Sequence, residues 1–435
     1  MNISDALDQY RDICGDVLKR YTAKLNKSFK TVFIETLLLY MVIPRKINFT
    51  RLGRYGTHCE QCFRQNFTKK FDWLSYNLLM ADRIFDKLDR KAIAIDPSYI
   101  SKSGKRTPWI GYFWSGCAGQ VKRGLEIMGI GLIDIDKHDC MMLRAVQSAD
   151  TVTLANRGAT LNDWYLKVIE QYKEQLLPVS KYIVADAYFS KFSFTQGLHD
   201  LGFHLVSRLR DDSNLLYLYQ GEKTGKKGRP KTFDGKIDVS NPDHSRMEKL
   251  DIYEEEGELY TLIAHSKALK RNIRLVIWIT PKGAHKLYFS TDTEMSGKDV
   301  IQFYRTRFQV EFCFRDSKQF TGLCHSQARD INRLDFAFNA SMTAVNAAKV
   351  MMKENGIPFS MDTLKNLMYN TYILKRFFEL SGFKPNRKIN AKLVKELIDI
   401  ATYRAACVNT PFRKKYRTTH LLISHLHPFT RNYSY

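Results

Sequence analysis

Residues 91–100, KAIAIDPSYI, set a compact apolar run, Ala92–Ile95, directly before an acid, Asp96. The same grammar recurs in LEIMGIGLIDID (125–136) and in KYIVADAYF (181–189), where Asp186 closes the run. Between them lies a helical stretch, LNDWYLKVIEQYKEQ (161–175). Strands that alternate with helices and end in Asp predict an α/β sheet with carboxylates gathered along one edge. Main-chain hydrogen bonding fixes an acid at such a strand end. Two of these strands side by side would bring Asp96 and Asp186 within reach of one or two divalent metal ions.

The chain changes character on both sides of this block. Residues 1–90 are rich in helical patterns, with Phe33, Leu37, Leu38, Met41 and Val42 near helical spacing and Pro44 ending that helix. In residues 48–74 Asn48 or Thr50 can cap a short helix, Gly53–Gly56 can supply a turn and residues 58–66 a second helix, which together read as a helix-turn-helix. Its exposed candidates for phosphates and base edges are Arg51, Arg54, Gln61, Arg64, Gln65, Lys69 and Lys70. A plain helical hairpin with a basic face fits the same pattern. Residues 205–291 hold strand-like pieces between polar turns and read as a β-rich insertion. Helical periodicity returns from residue 296 onward. The resulting division is 1–90, 91–204, 205–291, 292–375 and a basic helical region at 376–435.

Within the third helical block Tyr304, Arg307, Glu311 and Lys318 are spaced 3, 4 and 7 residues apart. On one continuous helix these offsets share a wedge of roughly 60°. A simple ion pair between Arg307 and Glu311 would also explain part of the pattern. Glu311 is the best candidate for a third acid beside Asp96 and Asp186.

Taken together, Tyr304, Arg307, Glu311 and Lys318 resemble the Y-R-E-K signature of DDE transposases from bacterial insertion sequences, the insertion sequence four family. Asp96 in D-P-S and Asp186 in D-A-Y-F are similar to that family's first two acids, and the likeness runs over roughly residues 30–350. Phe308 departs from the pattern, since many relatives carry Trp there. The resemblance implies a ribonuclease-H-like catalytic core, interrupted by the β-rich insertion, that binds two Mg2+ ions (Mn2+ being a substitute) through Asp96, Asp186 and Glu311. It implies that Tyr304, Arg307 and Lys318 hold DNA phosphates, Arg by a fork and Lys as a point charge. Cut-and-paste transposition follows: cleavage at element ends, then joining of the 3′-hydroxyls to target DNA. The expected partners are double-stranded DNA, as terminal inverted repeats and as target, and a second copy of the chain on that DNA. A non-catalytic DNA-binding descendant and a nuclease without strand transfer remain as alternatives.

Composition agrees with a polyanion partner. The 435 residues carry 68 Lys and Arg against 45 Asp and Glu, a net charge of +23, yet 44% are hydrophobic, too many for a disordered basic tail. The excess is concentrated. Residues 371–435 hold a net +10, including Arg413, Lys414, Lys415 and Arg417, and the loop 221–236 holds a net +4. In that loop the Gly228-Arg229-Pro230 core resembles an AT-hook that enters a minor groove, with Lys227, Arg229 and Lys231 as its DNA-binding candidates, and a flexible solvated loop explains the same composition. Trp278 is the one tryptophan in the insertion, but its apolar strand suggests a core position.

Other function classes are excluded or disfavoured. Apolar runs fall short of the roughly 18 residues a membrane span needs. The polar opening of the chain does not read as a secretory signal, and eight cysteines without framework spacing suggest a reduced compartment. A cytoplasmic, nucleoid-associated bacterial protein is the expectation. His58, Cys59 and Cys62 lack the paired partners of a zinc site. No GxxxxGK[ST] loop occurs, so no nucleotide cofactor is expected.

Overall fold

The computed structural model describes residues 6–221, 230–251 and 257–382. Five helices come first: α1 (Ala6–Arg20), α2 (Lys27–Val42), α3 (Phe49–Tyr55), α4 (Glu60–Asn66) and α5 (Trp73–Ala81). Then follow β1 (Lys91–Ser101), β2 (Gly111–Ser115), β3 (Gln120–Asp134), β4 (Asp139–Gln147), α6 (Thr151–Ala155), α7 (Leu161–Leu176), β5 (Tyr182–Val184) and α8 (Phe192–Asp200). A strand-rich stretch supplies β6 (His204–Leu209), β7 (Leu215–Leu218), β8 (Phe233–Lys236), β9 (Glu248–Leu250), β10 (Glu258–Ser266), β11 (Arg271–Ile279) and β12 (His285–Ser290). Helices α9 (Gly297–Thr306), α10 (Gln309–Gln319), α11 (Ile331–Glu354) and α12 (Met361–Ser381) complete the described chain. Packing divides it into Leu7–Met361 and a second unit to which residues 362–382 belong. Within that second unit the described element is α12.

In the first unit all twelve strands join one mixed sheet, ordered β2-β3-β1-β5-β6-β12-β11-β10-β7-β8, with β4 also on β3 and β9 on β10. Strand β1 pairs antiparallel with β3 and parallel with β5, and β5 pairs parallel with β6. The central position of β1 explains its sequence: Ala92, Ile93, Ala94 and Ile95 are fully buried, as both faces require. Pro97 is accommodated because β5 has ended by that level, leaving one side of β1 without a ladder. Strands β7 to β12 extend this same sheet. A mixed sheet carrying helices in this way is consistent with a ribonuclease-H-like fold.

Three features seat helices on the sheet. Glycines 129 and 131 of β3 lack the side chains that would strike α10: a Cβ at Gly129 would lie 2.5 Å from Phe314 Cζ, and one at Gly131 3.3 Å from Val310 Cγ2. Strand β4 meets α11 by way of asparagines. Asn339 accepts from the Ala145 N–H (2.8 Å) and donates to the Ala145 carbonyl (3.0 Å), and Asn346 does the same for Met142 (3.1 and 2.7 Å). Buried main-chain groups that lack a strand partner are thereby satisfied. An aromatic core of Phe33, Phe67, Trp73 and Phe336 packs the N-terminal helices onto α11, Phe67 and Phe336 lying 4.3 Å apart.

The helix pair expected at 48–66 forms as α3 and α4, and Asn48 caps α3 by accepting from the Arg51 N–H at 2.9 Å. Gly53 differs from the expectation. It lies inside α3, where its missing side chain lets the Glu60 backbone approach to 2.7 Å of the Cβ position, so the glycine serves helix contact and the turn begins at Gly56. A second difference concerns residues 296–319. These form two helices joined at Arg307 and Phe308, where hydrogen bonds tighten to three-residue spacing (Val310 N–H to Arg307 carbonyl 3.0 Å, Glu311 N–H to Phe308 carbonyl 3.1 Å). Tyr304 therefore stands on α9, while Glu311 and Lys318 stand on α10. The shared wedge of a single helix does not apply. Among the described residues no helix is long and apolar enough to cross a membrane.

Candidate active site

Parallel pairing sets Ile93 beside Ile183 and Ala94 beside Val184. Carried two residues on, that register puts Asp96 level with Asp186, each just where its strand leaves the β1–β5 ladder. Asp186 is fixed further by accepting from the Tyr188 N–H at 3.0 Å, where it caps a short 3-10 turn at Ala187–Phe189. Gly129 faces Asp96 from the other side and admits Phe314. One helical turn from Phe314 stands Glu311.

Arg307 occupies the middle of this arrangement. Its Nη1 lies 3.6 Å from Asp96 Oδ1 and its Nη2 donates to Glu311 Oε1 at 3.0 Å. The guanidinium is largely enclosed, with 12% of the side chain exposed, and its Nε is buried without a hydrogen-bond partner. The ring of Tyr304 lies 5.7 Å from it and 5.0 Å from the ring of Tyr288.

The electrostatics tie the acids together. Burial, and then the neighbouring charges of Asp186 and Glu311, push the Asp96 carboxyl up to about 7, against the opposing pull of Arg307 and Lys318. Burial also raises Asp186, with Arg307, the Tyr188 N–H and Lys191 pulling the other way. Asp186 and Glu311 both repel Asp96 beside a single arginine, an arrangement of hard oxygen donors that suits a divalent cation, which would relieve the repulsion. Asp96, Asp186 and Glu311 are the residues that would hold it.

Other expected residues lie elsewhere. Arg51 donates to the Lys46 carbonyl at 3.2 Å, Arg54 is exposed on α3, and Arg64 is paired with Glu60 and stacked over Phe49 at 4.8 Å. Lys231 pairs with Asp234 at 3.0 Å. Lys227, Arg229 and the 413–417 cluster lie outside the described residues. His58 pairs with Glu35, and Trp278 is half-buried with Lys286 Nζ 4.6 Å over its ring.

Sequence reading passed over Tyr188 and Lys191, which stand beside Asp186 with Lys191 Nζ 3.8 Å over the Tyr188 ring. Their place within five residues of Asp186 was the available signal. It also passed over Asp89, Asp134 and Asp136, the one trio of acids among the described residues whose oxygens all lie within 4.8 Å of one another. This trio could bind a metal, but its charges are already answered, Asp89 by Lys137 at 2.5 Å and Asp136 by Arg90 at 2.6 Å. Asp134 pairs with Lys91 at the far end of β1, five residues or about 17 Å from the level of Asp96.

No protein of curated function matches the chain. Residues 60–257 match a family model described as DDE superfamily endonuclease. The matched stretch contains Asp96 and Asp186 and stops before Tyr304, Arg307, Glu311 and Lys318. Over the strands that carry its first two candidate acids, the chain is thus similar to the DDE superfamily endonucleases, and that likeness supports a nuclease of DDE type.

Proposed function

We propose that the protein is a DDE transposase of an insertion sequence that cuts DNA at element ends and joins the 3′-hydroxyls to target DNA. The observation that carries this reading is the convergence of Asp96, Asp186 and Glu311 on Arg307, on a sheet whose first part is similar to DDE endonucleases. Asp96 and Asp186 are carried by the β1–β5 register and Glu311 by the seating of α10. Mg2+ ions bound by these three acids would supply activation of a water or 3′-hydroxyl and stabilisation of the leaving oxygen in an in-line displacement at phosphorus. Arg307, Tyr304 and Lys318 orient the scissile strand, Arg307 by its fork and Lys318 as a point charge. The helix pair α3–α4 and the basic segments at 221–236 and 371–435 contribute backbone contacts. Two ends must be held together, which calls for two copies of the chain on the DNA.

The test is Mg2+-dependent nicking and joining of a labelled duplex carrying the element's terminal repeat. Asp96→Ala, Asp186→Ala and Glu311→Ala each abolish cleavage and leave end binding largely intact. Wild-type nicking by any of the three would refute the site. Products that are cut but never joined would leave a nuclease.

A further inference from the structure

A cavity of about 400 Å3 opens between α3, α4, the start of α11 and the loop that joins α10 to α11. Arg64, Arg329 and Arg333 line it, and no Asp or Glu does. Two lysines stand beside the wall. Lys102, the residue after β1, is half-buried and donates to the carbonyls of Ser326 (2.6 Å) and Ala328 (3.1 Å), both wall residues. Lys46 precedes Ile47, a wall residue whose N–H donates to His325 Nδ1 at 3.1 Å. Arg333 is fixed through Nε, which donates to the Arg64 carbonyl at 3.1 Å. Separate stretches of chain thus deliver cations to one place and are pinned there.

Their charges are not answered by the protein. Arg64 is paired with Glu60, but Lys46, Lys102, Arg329 and Arg333 form no ion pair with a carboxylate among the described residues. Asp330 is engaged at the α11 N-terminus, where it accepts from the Arg333 N–H at 3.0 Å. Burial, and then the like charges of Arg329 and Lys46, push the Lys102 ammonium down to about 8. Like charges held together repel, and an anion between them relieves the repulsion. The wall also defines that anion. Four cations against Asp330 leave an excess of three, more than a single carboxylate ligand would answer. The planar forks of Arg329 and Arg333 match the oxygens of phosphate, and Lys102 adds a point charge.

We propose that this cavity binds a phosphate group, held by Arg329 and Arg333 with Lys102 and Lys46 beside them. The site is distinct from the acidic one. Lys102 lies six residues past Asp96 along extended chain, a reach of up to about 20 Å. The phosphate has two sources, a DNA strand and free inorganic phosphate. On duplex DNA about 20 Å is roughly six base pairs, so a strand cut at Asp96 would present a second phosphate to the cavity about half a helical turn away. That distance to the cut is the one point that rests on the proposed function.

The experiment uses the full-length wild-type protein in EDTA, so that cleavage does not enter the readout, beside Arg329→Gln and Lys102→Met. Lys282→Gln, in the exposed turn between β11 and β12, controls for the loss of any positive charge. Thermal melts in sodium phosphate are compared with melts in sodium chloride of equal ionic strength, and fluorescence anisotropy measures affinity for a labelled duplex with and without phosphate. Phosphate should raise the Tm of wild type and of Lys282→Gln, and fail to raise that of Arg329→Gln or Lys102→Met. Each of the latter two should also bind duplex about tenfold more weakly, as loss of one charged contact implies. Arg329→Gln relieves repulsion on Lys102 and should melt no lower than wild type in chloride, so that its losses are those of a ligand and not of the fold. A rise in Tm with competition against duplex shows that free and strand-borne phosphate share the cavity. A rise with duplex affinity unchanged in the variants assigns the cavity to free phosphate, and weaker duplex binding without a rise assigns it to the strand. Neither effect, or losses no larger than in Lys282→Gln, overturns the proposal. The proposed function fails separately, through absence of nicking in Mg2+ by the wild-type protein.

Discussion

Replacing Gly129 by alanine adds one methyl group where β3 faces α10, and its effect can be worked from the structure. The new Cβ would lie 2.5 Å from Phe314 Cζ and 2.7 Å from Met142 Cε, whereas ordinary contacts begin near 3.4 Å. The Phe314 ring must withdraw by nearly 1 Å. It is 4% exposed and packed in the core, so it either leaves its rotamer or lifts α10 with it. Overpacking of this size costs about 1–3 kcal/mol. At about 2–4 °C per kcal/mol for a domain of 150–250 residues, and less for a larger one, Tm should fall by a few degrees. Activity should suffer more than stability. Glu311 lies one turn before Phe314 on the displaced helix, and a 1 Å misplacement of a catalytic group costs on the order of 100-fold. Thermal melts and initial nicking rates in Mg2+ would be compared for wild type, Gly129→Ala and Gly129→Ala/Phe314→Leu, the last of which trims the obstructing ring. Partial return of rate in the double variant supports seating through this contact. A Gly129→Ala protein with wild-type Tm and rate would refute the reasoning outright.

Three further outcomes are expected. Because the Asp96 carboxyl is raised from 3.8 to about 7 in the folded protein, the native state holds a proton that the unfolded chain releases, and stability falls as pH climbs through that window. The loss is at most about 4 kcal/mol for three pKa units; urea midpoints in EDTA should show Asp96→Asn gaining on wild type from pH 5 to pH 8, and a constant difference would contradict this. Asn346→Ala leaves the Met142 N–H and carbonyl buried without partners, at about 1–3 kcal/mol each, and should lower the urea midpoint accordingly without changing the m-value. DNA binding should weaken steeply with salt, the log–log slope being about −0.9 per phosphate neutralised, and Lys318→Ala should reduce that slope by about one unit.

The strands that carry the acids were legible because their signal is local. An apolar run closed by Asp at 96 and again at 186 becomes two neighbouring strands in register, and Asn48 caps its helix as its residue type suggests. The break at Arg307 and Phe308 was not legible. Arg307 and Phe308 themselves keep helical dihedrals, and what changes is the hydrogen-bond spacing. Glycines 129 and 131 offered a readable sign, since glycine at alternate positions of a strand marks close approach by another element. What approaches them, α10, is some 180 residues away in sequence.

The two asparagines of α11 carry a consequence in the language of measurement. Seven residues of helix rise about 10.5 Å, and the bulge in β4 lets the peptides of both Ala145 and Met142, opposite Gly129 and Gly131 of β3, turn to the same edge. Asn339 and Asn346 are seven apart, and the residues they grip, Ala145 and Met142, are three apart. Helix and strand thus act as two rulers whose marks coincide at these two points. Sliding α11 by one residue misaligns both marks at once, and sliding it by a turn leaves four peptide groups unanswered. The sheet is indexed against the helix as a gear is keyed to its shaft.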